Sequence, residues 1–317
     1  MLQNKVQLIT YPDSLGANLP ELYYVLKRHA GAAVGGVHLL PFYPSSADRG
    51  YAPLTYDEVD PVFGTWEDVA IIGRDYDLIV DFMVNHISRR SVYFQDYVEK
   101  GEASPYADMF LSFKKFSPDG EIDDDLLSRV YTLKPRPPYT VIQRADGSME
   151  KVWCTFAYEQ IDLDINSAKT REVLRNFLIR LARDRVKMVR MDAFAYTTVE
   201  LGTNCFFREP QVWEILKWLD EYVRPFGAEI LPEVHEHYSY HLKIARRGYW
   251  TYDFALPLLV LHTLYHHTAA ALTAWLRICP RKQITTLDTH DGIGVIDAAD
   301  LLTPEEIGRA SCRERVS

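Results

Sequence analysis

The sequence predicts an α/β protein, a (β/α)8 TIM-type barrel with a subdomain inserted after its third strand. Three observations carry this. Short apolar runs alternate with amphipathic segments, the rhythm of parallel strands and crossover helices. Three runs lead into carboxylates: Val189-Arg190-Met191-Asp192, Leu231-Pro232-Glu233-Val234-His235 and Leu287-Asp288-Thr289-His290-Asp291. Residues 87–165 break the rhythm with acids, Pro and Gly, and so long a connection is rarely a plain loop.

The strands are expected at Val6–Thr10, Gly36–Leu40, Leu78–Val84, Met188–Met191, Glu229–Leu231, Tyr252–Phe254 and Ile284–Leu287. They are short, apolar and β-branched, as strands buried on both faces are. Between them, Ser167–Arg183 places Val173, Leu174, Phe177, Leu178 and Leu181 on one helical stripe, with Asn166 as N-cap. Pro210–Tyr222 places Val212, Ile215, Leu216 and Leu219 on one face, with Pro210 at the helix start. The expected organisation is barrel strands 1–3 in 1–86, an inserted B-type subdomain in 87–165 and strands 4–7 in 166–306. Seven strands without an eighth imply an incomplete barrel, lacking its last strand and a C-terminal domain.

The stretch 307–317 fits none of this. Apolar periodicity stops and arginines crowd in. It resembles a sequencing adapter translated in one frame, so it is expected to be non-native and is set aside from the fold.

Composition narrows the function. The chain has 317 residues, 47% hydrophobic and 25% charged, ordinary for a globular protein. A net charge of −9 disfavours nucleic acid as a partner. The most apolar stretch, Phe254–Tyr265, is too short to span a bilayer. Cys154, Cys205, Cys279 and Cys312 have no metal-like spacing and read as free thiols, Cys205 as a packing residue. Asp123–Asp125 reads as a solvated acidic loop, without EF-hand spacing.

The strand ends carry the chemistry, because barrel active sites lie at strand C-termini. Arg190 and Asp192 alternate on one strand and share a face. An Arg there favours an ionised carboxylate, as a nucleophile requires; the plainer reading is a structural ion pair. Glu233 follows Pro232 at a strand end. For acid work it must hold a proton near neutral pH, which partial burial favours; alone, it reads as a surface glutamate. Asp291, beside His290 and before the turn residue Gly292, can hold charge near a developing oxocarbenium ion. Asp288 reads as structural. His86, closing Asp81-Phe82-Met83-Val84-Asn85-His86, can donate to a sugar hydroxyl or serve structure. Asp48 and Tyr51 can floor a pocket or form a solvated turn, and Phe156 and Gln160 can cap it or fill the subdomain core. Two carboxylic acids are the minimum for retaining glycoside chemistry, and a third can stabilise the transition state.

Taken together, Asp81–His86, Arg190–Asp192, Glu233 and His290–Asp291 resemble, in order, the four short regions of the α-amylase superfamily (glycoside hydrolase family 13). The resemblance narrows to its sucrose phosphorylase branch through Lys5–Tyr11, Gly35–Pro41, Gln160–Asp164, Thr251–Pro257 and His290–Val295, and covers residues 2–306. It implies reversible phosphorolysis of sucrose to α-glucose 1-phosphate and fructose with retention. Asp192 would be the nucleophile, Glu233 the acid/base and Asp291 the transition-state stabiliser. Asp48, Tyr51, His86, Arg190 and His290 would line the glucose subsite, with Phe156 and Gln160 at its entrance. The resemblance also implies no metal or organic cofactor, a cytoplasmic location and often a homodimer. The alternatives are a sibling phosphorylase acting on sucrose 6′-phosphate, glucosylglycerol or glucosylglycerate, an α-glucosidase, and, in another class, a non-catalytic amylase-like scaffold.

Overall fold

In the computed structural model, which describes residues 2–31, 33–132 and 135–308, strands form where the apolar runs lie. The chain divides into two units, Met1–Glu229 and Ile230–Ser317.

The first unit opens with β1 (Val6–Thr10), α1 (Leu19–Val25), β2 (Val34–Leu39), α2 (Trp66–Asp75) and β3 (Asp77–Met83). The helices start at side-chain caps. Asn18 accepts from the Glu21 amide, and Thr65 and Asp68 form a reciprocal capping box. Every residue of β3 is buried, so that strand is covered on both faces. β1 departs from this expectation: Val6 is exposed, Gln7, Leu8 and Ile9 are half-buried, and Thr10 alone in this strand is buried.

The insertion follows. It comprises β4 (His86–Ser88), α3 (Val92–Lys100), α4 (Asp124–Ser128), β5 (Tyr139–Gln143), β6 (Met149–Trp153) and β7 (Gln160–Asp162). β5 and β6 form an antiparallel hairpin. β4 and β7 pair antiparallel at its two ends, His86 opposite Asp162 and Ser88 opposite Gln160. Its core packs Leu111, Phe113, Ile122 and Trp153 around Cys205. Asp123 caps α4 by accepting from the Asp125 amide, which gives part of the acidic run a local structural role.

The chain then resumes its α/β rhythm with α5 (Ala168–Arg183), β8 (Val186–Asp192) and α6 (Gln211–Val223). Ser167, not Asn166, caps α5, accepting from the Lys169 and Thr170 amides. The expected stripe Val173, Leu174, Phe177, Leu178 and Leu181 is buried. In α6 the expected face is buried too, and Pro210 sits just before the first helical residue. β1, β2, β3 and β8 form a parallel sheet in that order. The register sets Asp81 opposite Arg190 and Met83 opposite Asp192. β9 (Glu229–Pro232) leads from the first unit into the second.

The second unit holds α7 (Ser239–Arg246), β10 (Thr251–Asp253), α8 (Leu256–His266), α9 (Ala270–Ile278) and β11 (Gln283–Thr285). β10 and β11 pair in parallel, Tyr252 opposite Ile284. The apolar stretch from Phe254 is mostly α8, and no helix among the described residues is long and apolar enough to cross a membrane. The seventh strand ends at Thr285, earlier than expected, so Leu287–Asp291 is loop. Leu287 is exposed there, and an apolar residue without a covered face does not extend a strand. Ala255, Leu258, Leu259, Trp275, Cys279, Ala298 and Leu302 form this unit's core, with Ile307 packed against it. Residues 304–308 are helical, so the regular pattern runs slightly past 306. Residues 309–317, most of the tail set aside above, lie outside the described residues, as does Cys312. Cys154, Cys205 and Cys279 are buried and unpaired with one another.

Candidate active site

In the first unit the candidate side chains hang on a buried charge network. Arg190, on β8, is 2% exposed. Its Nη1 donates to Asp192 Oδ1 at 2.9 Å and also to Asp81 Oδ1. Asp81 Oδ2 lies 2.8 Å from Nε2 of buried His38 on β2. The Tyr43 hydroxyl donates to the Asp81 carbonyl at 3.0 Å. A buried charge is tolerated when it is paired and hydrogen-bonded, and this guanidinium joins two carboxylates. Asp192 ends β8 with its side chain 13% exposed, and Ala193 directly after it is left-handed, with φ 54°. The backbone therefore turns at the carboxylate, a strained geometry of the kind found at reactive positions.

A second group surrounds the backbone of Tyr51. The Tyr51 carbonyl accepts from Gln160 Nε2 at 2.9 Å and lies 2.9 Å from His86 Nε2. Gln160 Nε2 also reaches Asp48 Oδ2 at 3.3 Å. The Phe156 ring packs between His86, at 5.4 Å, and Tyr196, at 4.9 Å. The Arg190 guanidinium lies 5.9 Å from the Tyr51 ring centre, which links the two groups. Asp48, Tyr51, His86, Phe156, Gln160, Arg190 and Asp192 are thus gathered in this unit. Asp48 itself is exposed. The turn that presents it runs through positive φ at Asp48, Arg49 and Gly50. Gly50 has φ 109°, and a Cβ there would come within 2.4 Å of Pro41 Cβ.

The second unit gathers Glu233, His290 and Asp291. Glu233 follows β9 with its side chain 12% exposed. Oε1 of Glu233 is 3.2 Å from His235 Nε2. One side-chain nitrogen or oxygen from each of Glu233, His235 and Asp291 lies within 4.8 Å of the other two. His290 Nε2 is 3.3 Å from Asp291 Oδ2. Asp288 accepts from the Thr289 amide at 2.8 Å, in keeping with its structural reading. The His235 ring stacks on Phe254 at 4.0 Å. Burial pulls the His235 imidazole down, but its contacts with Asp297 and Glu233 outweigh that and push it up to about 10.

Sequence reasoning assigned no role to His38, Asp81, Tyr196, His235 or Asp297. Asp81 carried a signal: an acid in the middle of the apolar run Leu78–Val84 needs a partner. His38 carried the same signal between Val37 and Leu39. Asp297 stands in a short polar-apolar mixture and carried none.

Comparison with known proteins places the chain in a family. Residues 28–247 match the family model "Alpha amylase, catalytic domain". The chain belongs to this α-amylase catalytic domain family, whose (β/α) barrel class agrees with the parallel strand–helix succession. It is 51% identical to a sucrose phosphorylase of Streptococcus mutans over 96% of this chain and 63% of that protein. It is 45% identical to a glucosylglycerol phosphorylase of Marinobacter adhaerens over 97% of this chain and 63% of that one. Among solved structures, sucrose 6F-phosphate phosphorylase from Thermoanaerobacter thermosaccharolyticum superposes with a TM-score of 0.95 at 43% identity, over 98% of this chain and 64% of that chain. The chain thus spans somewhat under two thirds of the length of these relatives.

Proposed function

We propose that the protein transfers a glucosyl group from sucrose to phosphate with retention, yielding α-glucose 1-phosphate and fructose. The observation that carries this is the Arg190–Asp192 pair at the C-terminal end of β8. A carboxylate held there by a buried guanidinium is equipped as an anionic nucleophile. In the first step an Asp192 oxygen bonds the anomeric carbon while the bond to the fructosyl oxygen breaks. Glu233 gives its proton to that oxygen. In the second step a phosphate oxygen bonds the anomeric carbon, the ester to Asp192 breaks, and Glu233 takes the acceptor's proton where there is one. Asp291 stabilises the cationic transition states. Asp48, Tyr51, His86, Arg190 and His290 hold the glucosyl hydroxyls, with Phe156 and Gln160 at the entrance. The reaction calls for no metal or organic cofactor.

The similarity to a phosphorylase named for glucosylglycerol and to one named for sucrose 6F-phosphate supports a second reading, in which the leaving group is glycerol or fructose 6-phosphate. The glucosyl half-reaction is the same in all three. Incubation with each donor plus phosphate, read as α-glucose 1-phosphate formed, tests both readings. Product from sucrose that disappears in Asp192→Ala upholds the first. Product only from another donor establishes the second, and product that persists in Asp192→Ala removes the nucleophile assignment.

A further inference from the structure

Asp297 is a buried carboxylate without a hydrogen-bond donor. It is 0% exposed, in the short turn Ile296–Ala298 of the second unit, and neither of its oxygens has a hydrogen-bond partner among the described residues. An ionised carboxylate in such a place is costly unless a cation stands beside it. Two imidazoles are near. Oδ2 lies 3.8 Å from His235 Nδ1, and Oδ1 lies 3.7 Å from His241 Nε2.

His241 does not supply the charge. Its Nε2 lies 2.8 Å from the Val234 carbonyl, which only accepts, so Nε2 carries a proton. Its Nδ1 has no hydrogen-bond partner among the described residues, and burial holds the ring below its usual range. This is a neutral histidine that anchors the backbone between Glu233 and His235.

His235 is different. Its Nδ1 faces Asp297 and its Nε2 faces Glu233, so both ring nitrogens point at carboxylate oxygens. The Asp297 carboxylate only accepts, and Glu233 Oε1 accepts whether that group is ionised or carries its proton on the other oxygen, so both ring nitrogens carry protons to serve them. The rise of this ring to about 10 agrees with that geometry. Gly294 permits the approach: a Cβ there would stand 2.3 Å from Asp297 Oδ2 and 3.6 Å from His235 Nδ1.

Glu233 and Asp297 touch His235, and Asp291, paired with His290, completes the cluster. His241 comes from α7, and His237, itself 3.3 Å from Asp300, also acts on His241. The imidazole 3.2 Å from Glu233 thus has a buried aspartate at its other ring nitrogen.

We propose that Asp297 is a positioning residue that holds His235 as an imidazolium beside Glu233, and that this cation admits an anionic acceptor where the neighbouring groups are carboxylates. The acceptor half of this proposal rests on the phosphorolysis reading above. Once Glu233 has given up its proton, incoming phosphate meets the carboxylates of Glu233 and Asp291. An imidazolium offsets one of them. Water, being neutral, gains much less from the cation. Loss of the charge should therefore penalise phosphorolysis more than hydrolysis.

Two measurements test this. The first is an NMR pH titration of the His235 ring in the wild-type protein, with the signal assigned by its loss in His235→Gln. A ring still charged at pH 8 is expected; a midpoint at or below the ordinary 6.5 overturns the proposal. The second is the ratio of phosphorolysis to hydrolysis of sucrose in Asp297→Asn, with the KM for phosphate. The ratio is expected to fall on the order of tenfold, with the phosphate KM rising. An unchanged ratio, or equal loss of both reactions, overturns the acceptor role. Should Asp297→Asn not fold, His235→Gln gives the same ratio, and the wild-type titration stands by itself. Wild-type protein that titrates as expected yet forms no α-glucose 1-phosphate removes the phosphorolysis reading and the acceptor half with it, and upholds the imidazolium.

Discussion

Arg190 and Asp192 stand two residues apart on β8 and are joined at 2.9 Å, while the same guanidinium holds Asp81 on the neighbouring strand. One cation thus serves a strand-end carboxylate and a fully buried one. Arg190→Met should leave buried Asp81 without this guanidinium and cost about 3–5 kcal/mol of stability. Arg190→Lys keeps the charge but replaces the rigid guanidinium whose Nη1 meets both acids with a shorter, flexible ammonium, so a smaller thermal destabilisation is expected, with a larger proportional loss in kcat. Denaturant unfolding and turnover, measured on both variants, check this. Equal stability of Arg190→Met and wild type would remove the network from the account.

Glu233 is proposed to act on the leaving oxygen, and that role is separable from nucleophilic attack. Glu233→Gln should lower turnover of sucrose about 10²- to 10⁴-fold, the usual contribution of a general acid. Fluoride leaves without a proton, so α-glucosyl fluoride should restore the first step in this variant. A donor-independent loss would show that Glu233 works by some other means. In Asp192→Ala the fluoride should give no rescue.

Asp162 links chemistry to pH in the inserted segment. Burial pushes its carboxyl up to about 6, although hydrogen bonds from Thr155 pull the other way. A folded value above the unfolded one means the contribution to stability is full below the unfolded value near 3.8 and is lost as pH rises through about 6. The shift of some two units corresponds to about 3 kcal/mol as an order of magnitude. Asp162 pairs with His86 across β4 and β7, so this strain sits at the base of the insertion. Asp162→Asn should flatten the stability profile between pH 4 and 6. A variant that keeps the wild-type slope would assign that slope to other groups.

Gly50→Ala tests the turn that carries Asp48 and Tyr51. The left-handed backbone and the approach to Pro41 should together cost at least about 1 kcal/mol. The Tyr51 carbonyl, shared by His86 and Gln160, would shift with the turn. The expected kinetic effect is a raised KM for the glucosyl donor, on the order of tenfold. Donor KM and melting temperature, measured together, separate a local shift from general unfolding.

Much of the scaffold was legible along the chain. Leu78–Val84 and Met188–Met191 predicted β3 and β8 to within two residues, because strands buried on both faces are apolar without interruption. The α5 and α6 stripes were legible because burial of one helical face imposes its own period. The N-cap of α5 was misplaced by one residue, since Asn166 and Ser167 are both good caps and only the local backbone chooses between them. The end of β11 was misplaced because an apolar residue in a loop, Leu287, looks the same in sequence as one in a strand.

The sequence alone singled out three candidate acids by their local setting: Asp192 after an apolar run, Glu233 after Pro232, Asp291 before a turn glycine. Those are properties of single positions and near neighbours, and hydrophobic pattern reports them. The tertiary structure decided which charges pair. His38 meets Asp81 and Asp81 meets Arg190 because parallel β2, β3 and β8 lie side by side. Asp297 meets His235, sixty-two positions earlier by their numbers, because Gly294 leaves room for its carboxylate. A buried charge takes its energy from whichever group folding brings within a few ångströms, and spacing along the chain does not carry that information.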